Sequence, residues 1–186
     1  RRPGVVSRGY GRLVQTCQEV LPELSAELCG DEPLLIKQRT GAPVFVARRR
    51  SDALQALLAA YPDTDLVICD DGLQHYALRR DLNIAVFDDR GIGNGWLLPA
   101  GPLREPQARL QSVDAVLFNG ASVDSAEGFG FTLQLTALVN VATGERQSLD
   151  LFAPGQAVHA VAGIGNPARF FSTLTQEGFA IISHVF

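Results

Sequence analysis

The stretch from Leu66 to Leu78, LVICDDGLQHYAL, constrains the fold more than any other part of the chain. Leu66, Val67, Ile68 and Cys69 form a short apolar run with the length and β-branched character expected of a strand buried on both faces. The run stops at two adjacent carboxylates, Asp70 and Asp71, followed at once by Gly72. Open α/β sheets bind their ligands in the crevice beyond the carboxyl ends of the strands, which is where this pair would stand. Neighbouring carboxylates repel and resist desolvation, so a divalent cation is a natural partner. Capping a turn is the plainer role for the same two residues. Successive strand residues point to opposite sides, so one carboxylate can face a metal and the other a substrate or His75.

Upstream, Gly4 to Val6 reads as the end of a strand, and SRGYG at 7–11 as a turn whose glycines, hydroxyl and guanidinium suit a phosphate, though short glycine turns are common. GDEPLLIKQRTG at 30–41 predicts a helix from about Glu32 to Arg39, with Asp31 as N-cap, Pro33 in the first turn and Gly41 past the end. Pro43 to Ala47 is a strand; Ser51 or Asp52 then caps a helix through Ala60 with Leu54, Leu57 and Leu58 on one face. Downstream, Asn83 to Phe87 gives a further buried strand tipped by Asp88 and Asp89, and Val113 to Phe118 another, ending in an Asn119-Gly120 turn. Between them, residues 90–106 form a long Gly/Pro-rich loop carrying Trp96, Leu97, Leu98, Arg104 and Glu105; loops of this length in compact domains are usually functional.

Strands alternating with helical or loop crossovers indicate an α/β fold, a mainly parallel sheet flanked by helices. Phe129 to Asp150 alternates with period two around Thr143-Gly144-Glu145 and predicts a β-hairpin. From Val158 the α/β pattern restarts: a strand, the turn GIGNP, a helix with Asn166 as N-cap and Pro167 at its first position, and a strand from Ala180 to Ile182. The expected organisation is a core lobe over 1–128, a β-ribbon linker over 129–152 and the start of a second α/β lobe over 153–186.

With 46% apolar residues the chain can bury a core, and a net charge of −4 argues against a general nucleic-acid binder. The three cysteines, Cys17, Cys29 and Cys69, are widely spaced, a reduced pattern without zinc-ligand spacing. No apolar run approaches the roughly 20 residues that span a bilayer. The chain opens Arg1-Arg2-Pro3, contains no Met and stops at Phe186 after an apolar stretch, and it reads as an internal piece of a longer protein.

Taken in order, SRGYG at 7–11, GDEP at 30–33, DDGLQH at 70–75, GNGWLLPAGPLREP at 93–106, VDAVLFNG at 113–120 and AGIGNPARFF at 162–171 resemble tetraacyldisaccharide 4′-kinase, the lipid A kinase family. DDGLQH together with LLPAGPLREP is the specific part. The resemblance implies a P-loop NTPase-like kinase of two α/β lobes, using ATP and Mg²⁺ to phosphorylate the 4′-hydroxyl of a lipid A disaccharide precursor at the cytoplasmic face of the bacterial inner membrane. Contact with that membrane would be peripheral, and nucleic acid is not an expected partner. By the same resemblance Asp31 is the catalytic base, and Asp70 and Glu32 hold the metal. Asp71, Gln74, His75 and Arg49 contact substrate, and Ser7, Arg8, Arg104 and Glu105 lie at the nucleotide phosphates. Trp96, Leu97 and Leu98 would rest against acyl chains or the bilayer surface.

A P-loop needs GxxxxGK[ST], whose lysine neutralises phosphate charge. The single lysine here, Lys37, stands between Ile36 and Gln38, so this sequence does not contain that motif. Members of the family carry it upstream of the segment that opens this chain, behind a membrane anchor, and continue past the position of Phe186 with a Pro-Asp-His-His segment. The resemblance therefore implies that these residues alone have no appreciable kinase activity. Two other readings stand beside it: a metal-dependent sugar-nucleotide transferase with a metal-diphosphate on Asp70 and Asp71, and a non-catalytic binding paralogue.

Overall fold

A computed structural model describes residues 1–88, 90–120 and 128–185; Asp89, which the sequence sets beside Asp88, and Phe186 lie outside the described residues. Contacts divide the chain into two compact units, Arg1–Ala85 with Trp96–Val116, and Val86–Gly95 with Leu117–Phe186.

The first unit is built on β1 (Pro3–Ser7), β2 (Gln18–Glu19), β3 (Val44–Val46) and β4 (Leu66–Cys69), in the sheet order β2-β3-β1-β4. β1 runs parallel to both β3 and β4, pairing Val5 with Val44 and with Ile68, while β2 lies antiparallel on β3. Period-two alternation then decides which side chains go where. Val5, Val44 and Val46 join Val20 and Cys29 on one face, under Leu24, Leu34 and Ile36. Those covering residues come from or flank two helices, α1 (Ala26–Cys29) and α2 (Asp31–Thr40). Val6, Phe45 and Ala47 occupy the other face against Ala53 and Leu57 of α3 (Arg50–Ala60). Each such buried valine or leucine contributes about 1.5–3 kcal/mol. Gly4 lets α3 approach: a Cβ there would lie 2.7 Å from Leu57 Cδ1.

Several local expectations are corrected. Asp31 is the first residue of α2 rather than its cap; Gly30 holds the cap position at φ 94°, and Asp31 Oδ1 accepts a hydrogen bond from the Glu32 N–H at 2.9 Å. Neither Ser51 nor Asp52 caps α3, which begins at Arg50 behind an extended Arg49. Leu57 is fully buried, but Leu58 faces solvent, because the closely approaching side of α3 runs through Ala53 and Leu57. β4 is covered on one face only. Val67 and Cys69 pack toward α3, while Leu66 and Ile68 are 44% and 51% exposed, beyond the reach of the α1 and α2 layer.

Within β5 (Ile84–Phe87) and β6 (Ala115–Asn119) the chain passes into the second unit, and both strands join β7 (Phe129–Phe131) in the order β5-β6-β7. β5 too is covered on one side only, with Ala85 buried and Ile84 and Val86 exposed. β7 pairs parallel with β6, so it does not belong to the expected hairpin. The hairpin that forms is shorter, β8 (Leu138–Val139) against β9 (Arg146–Gln147), turned by Asn140, whose side chain accepts the N–H groups of Ala142 and Thr143. Alternation is the same in a hairpin strand and in a parallel edge strand, so the pattern did not distinguish them.

β10 (Ala157–Ala162) and β11 (Ala180–Val185) pair parallel around the crossover helix α4 (Pro167–Gln176). Here the capping signals hold: Asn166 is the N-cap, its Oδ1 accepting from the Arg169 N–H at 3.3 Å, with Pro167 next. Phe171 and Leu174 of α4 bury against Ala160, Ala162 and Phe179. Among the described residues no helix is long and apolar enough to cross a membrane.

Candidate functional site

In the first unit, the carboxyl ends of β1 and β4 and the N-terminus of α2 meet at one edge of the sheet. Ser7 closes β1, and its buried hydroxyl donates to Asp70 Oδ2 at 2.9 Å, just past β4. Gly9, at φ 64°, brings the SRGYG turn against the segment before α2: a Cβ on it would stand 2.6 Å from the Cys29 carbonyl oxygen, and the Gly9 Cα lies 3.0 Å from the place a Gly30 Cβ would take. Just past the turn, the buried guanidinium of Arg12 donates to the Thr16 and Gln15 carbonyls at 2.8 and 3.2 Å.

Glu32 reports how closely the acidic groups gather. Loss of hydration first, then the charges of Asp70, Asp71 and Asp31, push its carboxyl above the ordinary glutamate value, on a side chain that remains largely exposed. The four carboxylates therefore share one neighbourhood, with the dipole of α2 directed at Asp31 and Glu32 in its first turn. Arg104 supplies the positive charge: its Nη1 donates to both Asp71 oxygens, at 2.9 and 3.0 Å.

The DDGLQH turn is fixed through its backbone. Asp71 takes a left-handed φ of 44°. Arg50, at the start of α3, donates Nε and Nη2 to the Asp70 carbonyl at 3.2 and 3.0 Å and Nη2 to the Asp71 carbonyl at 3.0 Å. Arg80 donates to the Gly72 and Leu73 carbonyls. His75, in the same turn, has a buried Nε2 with no hydrogen-bond partner among the described residues. Burial, followed by the charges of Arg50 and Arg80, lowers its pKa, which favours the neutral ring.

Glu105 ties this turn to the Gly/Pro-rich loop. Its carboxylate accepts from Gln74 Nε2 at 3.3 Å and from the Tyr76 hydroxyl, and lies 3.8 Å from Arg109 Nε. Of the residues that the resemblance singled out, Ser7, Asp31, Glu32, Asp70, Asp71 and Arg104 are thus brought together. Gln74 and Glu105 are bonded to each other, Arg8 is exposed, and Arg49 donates to Asp52 Oδ2 on its own helix at 3.0 Å. Arg50, Arg80 and Tyr76 had no sequence signal: Arg50 belongs to the run Arg48-Arg49-Arg50, and only the fold shows which of the three faces the turn. In the second unit, the charge at the tip of β5 is paired. Asp88 is held below the usual carboxylate range by hydrogen bonds from Arg90, with a further contribution from Arg169, which donates to Asn119 Oδ1.

Among the described residues no three acidic, histidine or cysteine side chains converge closely enough to enclose a metal by themselves. The carboxylate oxygens of Asp70 and Glu32 are the donor type that magnesium takes, an ion that binds through one or two carboxylates and completes its shell with water and substrate phosphate.

A mainly parallel α/β sheet whose strand tips gather carboxylates, a serine hydroxyl and an arginine defines an α/β protein with its polar site at the open-sheet position. A family model described as LpxK, Tetraacyldisaccharide-1-P 4'-kinase, matches residues 1–186, and the chain belongs to that family. It is 59% identical over 188 residues to the Tetraacyldisaccharide 4'-kinase of Pseudomonas putida (strain W619), a match covering 98% of this chain and 55% of that protein. The corresponding protein of Pseudomonas fluorescens (strain SBW25) is 59% identical over 187 residues, covering 100% of this chain and 55% of its own. The chain thus spans about half the length of the curated relatives it matches. A crystal structure of "apo" form LpxK from Aquifex aeolicus in complex with ATP matches with a TM-score of 0.79 at 26% identity, covering 100% of this chain and 61% of that one. The resemblance carried by DDGLQH and LLPAGPLREP is borne out, and the transferase reading gives way to it.

Proposed function

We propose that this chain is the part of a tetraacyldisaccharide 4′-kinase that supplies the acceptor-activating base and the metal-holding carboxylates for ATP-dependent phosphorylation of the 4′-hydroxyl of a lipid A precursor. The observation that carries the reading is the meeting, at one sheet edge, of the Ser7–Asp70 bond, the Asp71–Arg104 pair and the start of α2 with Asp31 and Glu32 in its first turn. Phosphoryl transfer depends mainly on positioning and on neutralising charge, and this site offers groups for both.

Asp31, at the free first turn of α2, accepts the proton of the sugar hydroxyl as the oxygen attacks. Asp70, with its Ser7 bond fixing one oxygen, and Glu32 would hold Mg²⁺, which when bound supplies the charge that binds and neutralises the triphosphate. Arg104 exchanges Asp71 for phosphate oxygens when nucleotide enters, which frees Asp71 for substrate together with Gln74, His75 and Arg49. Ser7, Arg8 and Glu105 border the phosphates, with Glu105 bracing the loop that carries Arg104. Trp96 and Leu98, 66% and 63% exposed, lie against acyl chains or the membrane surface, at the cytoplasmic face of the bacterial inner membrane. The lobe, ribbon and second-lobe division at 128 and 152 belongs to the same proposal.

The test is Asp31→Asn and Asp31→Ala in the complete protein, following transfer of labelled γ-phosphate from ATP to the tetraacyldisaccharide 1-phosphate. A general base is worth about 10²–10⁴-fold, so kcat should fall by that factor with the KM for ATP little changed. Activity within about threefold of the parent, in variants with an unaltered circular dichroism spectrum, would remove Asp31 from the chemistry. A parent protein that is itself inactive would favour the non-catalytic paralogue.

A further inference from the structure

The second unit holds a pair of groups that the proposed reaction does not use. His159 on β10 and His184 on β11 stack with ring centroids 5.2 Å apart and an interplanar angle of 28°, and His159 Nδ1 lies 3.0 Å from His184 Nε2. Strand register explains the meeting: His159 pairs with Ile182 and Val161 with His184, so the two rings stand on the same sheet face one rung apart. That face is opposite the one covered by α4, whose cluster takes Val158, Ala160, Ala162 and Ile181, and both histidines are exposed.

We infer that the His159 and His184 pair is a two-imidazole binding site for a divalent first-row transition ion. Two imidazole nitrogens bound to one ion at about 2.0–2.1 Å stand roughly 3 Å apart, the separation found here. Imidazole suits Zn²⁺, Ni²⁺ and Cu²⁺ rather than Mg²⁺, so the site is separate in chemistry from the carboxylate cluster. Without the ion, one ring nitrogen donates its proton to the other. When the ion binds, both facing nitrogens present their lone pairs to it and each ring carries its proton on the far nitrogen. Water completes the coordination. The ion ties β10 to β11, two strands otherwise joined by their backbone ladder and by α4.

The experiment titrates the complete, tag-free protein with NiCl₂ by calorimetry and follows thermal melting with and without the ion. The parent should show saturable binding with a dissociation constant below about 1 mM. Its melting temperature should also rise with Ni²⁺, since binding the folded state alone stabilises it. His159→Gln and His184→Gln should each weaken that binding by about tenfold or more and abolish the Ni²⁺-dependent rise, while Cys17→Ser, removing the exposed thiol, changes neither. Unsaturable binding by the parent, or undiminished binding by either histidine variant, would overturn the assignment. Because both rings are exposed, the variants should fold as the parent does, which circular dichroism checks.

Discussion

Glu32 loses hydration beside the charges of Asp70, Asp71 and Asp31, and its raised pKa fixes the sign of a pH effect. A carboxyl whose folded pKa exceeds its unfolded value binds protons more tightly when folded. Its contribution therefore falls as pH rises from the ordinary glutamate value through the raised one, and above that window it opposes folding. Glu32→Gln should make the protein more stable than the parent at neutral pH, by about 0.5 kcal/mol or less after solvent screening, and equal to it below the window. Thermal melts across that range check both limbs. Gly9 is constrained in a different way. Its left-handed φ and the 2.6 Å approach of a Cβ to the Cys29 carbonyl predict that Gly9→Ala costs about 1–3 kcal/mol, measured by urea denaturation, because the SRGYG turn must lift from the α2 entrance.

At the level of elements, α3 does two jobs. Its buried side seats Leu57 over Gly4 of β1, so Leu57→Ala should cost about 2–5 kcal/mol, whereas Leu58→Ala, on the exposed side, should stay within about 0.5 kcal/mol. Paired denaturation curves separate these, and equal costs would mean that the helix is rotated. Its N-terminus presents Arg50 to the carbonyls of the Asp70-Asp71 turn. Removing a charged donor from such bonds costs about 1.5–3 kcal/mol, and Arg50→Lys should recover only part of this, because an ammonium cannot reproduce the fork that spans two adjacent carbonyls. The same denaturation measurement on both variants tests that ranking.

For the molecule as a whole, the single lysine is already engaged: Lys37 Nζ donates to the Ala42 carbonyl at 3.2 Å and lies 4.0 Å from Glu19, at the far end of α2 from Asp31. The 186-residue chain by itself should give no measurable phosphoryl transfer from ATP to the lipid acceptor under conditions where the complete protein does. Labelled lipid product from the chain alone would refute this.

The local signals fixed the strand at Leu66–Cys69, the helix behind GDEP, the Asn166-Pro167 helix start and the motif order that identifies the family, because strand composition, capping and turn chemistry act over a few neighbouring residues. They also marked Asp70 and Asp71, two carboxylates at a strand end before a glycine, while Asp31 and Arg104 were singled out through the family motifs GDEP and LREP. Tertiary structure alone decided which face of β4 is covered, that β7 joins a parallel sheet, that Arg50 rather than Arg49 holds the Asp70-Asp71 turn, and that His159 meets His184. Each of these depends on strand register and on the reach of a helix across a sheet, relations between residues far apart in the chain that periodicity does not encode.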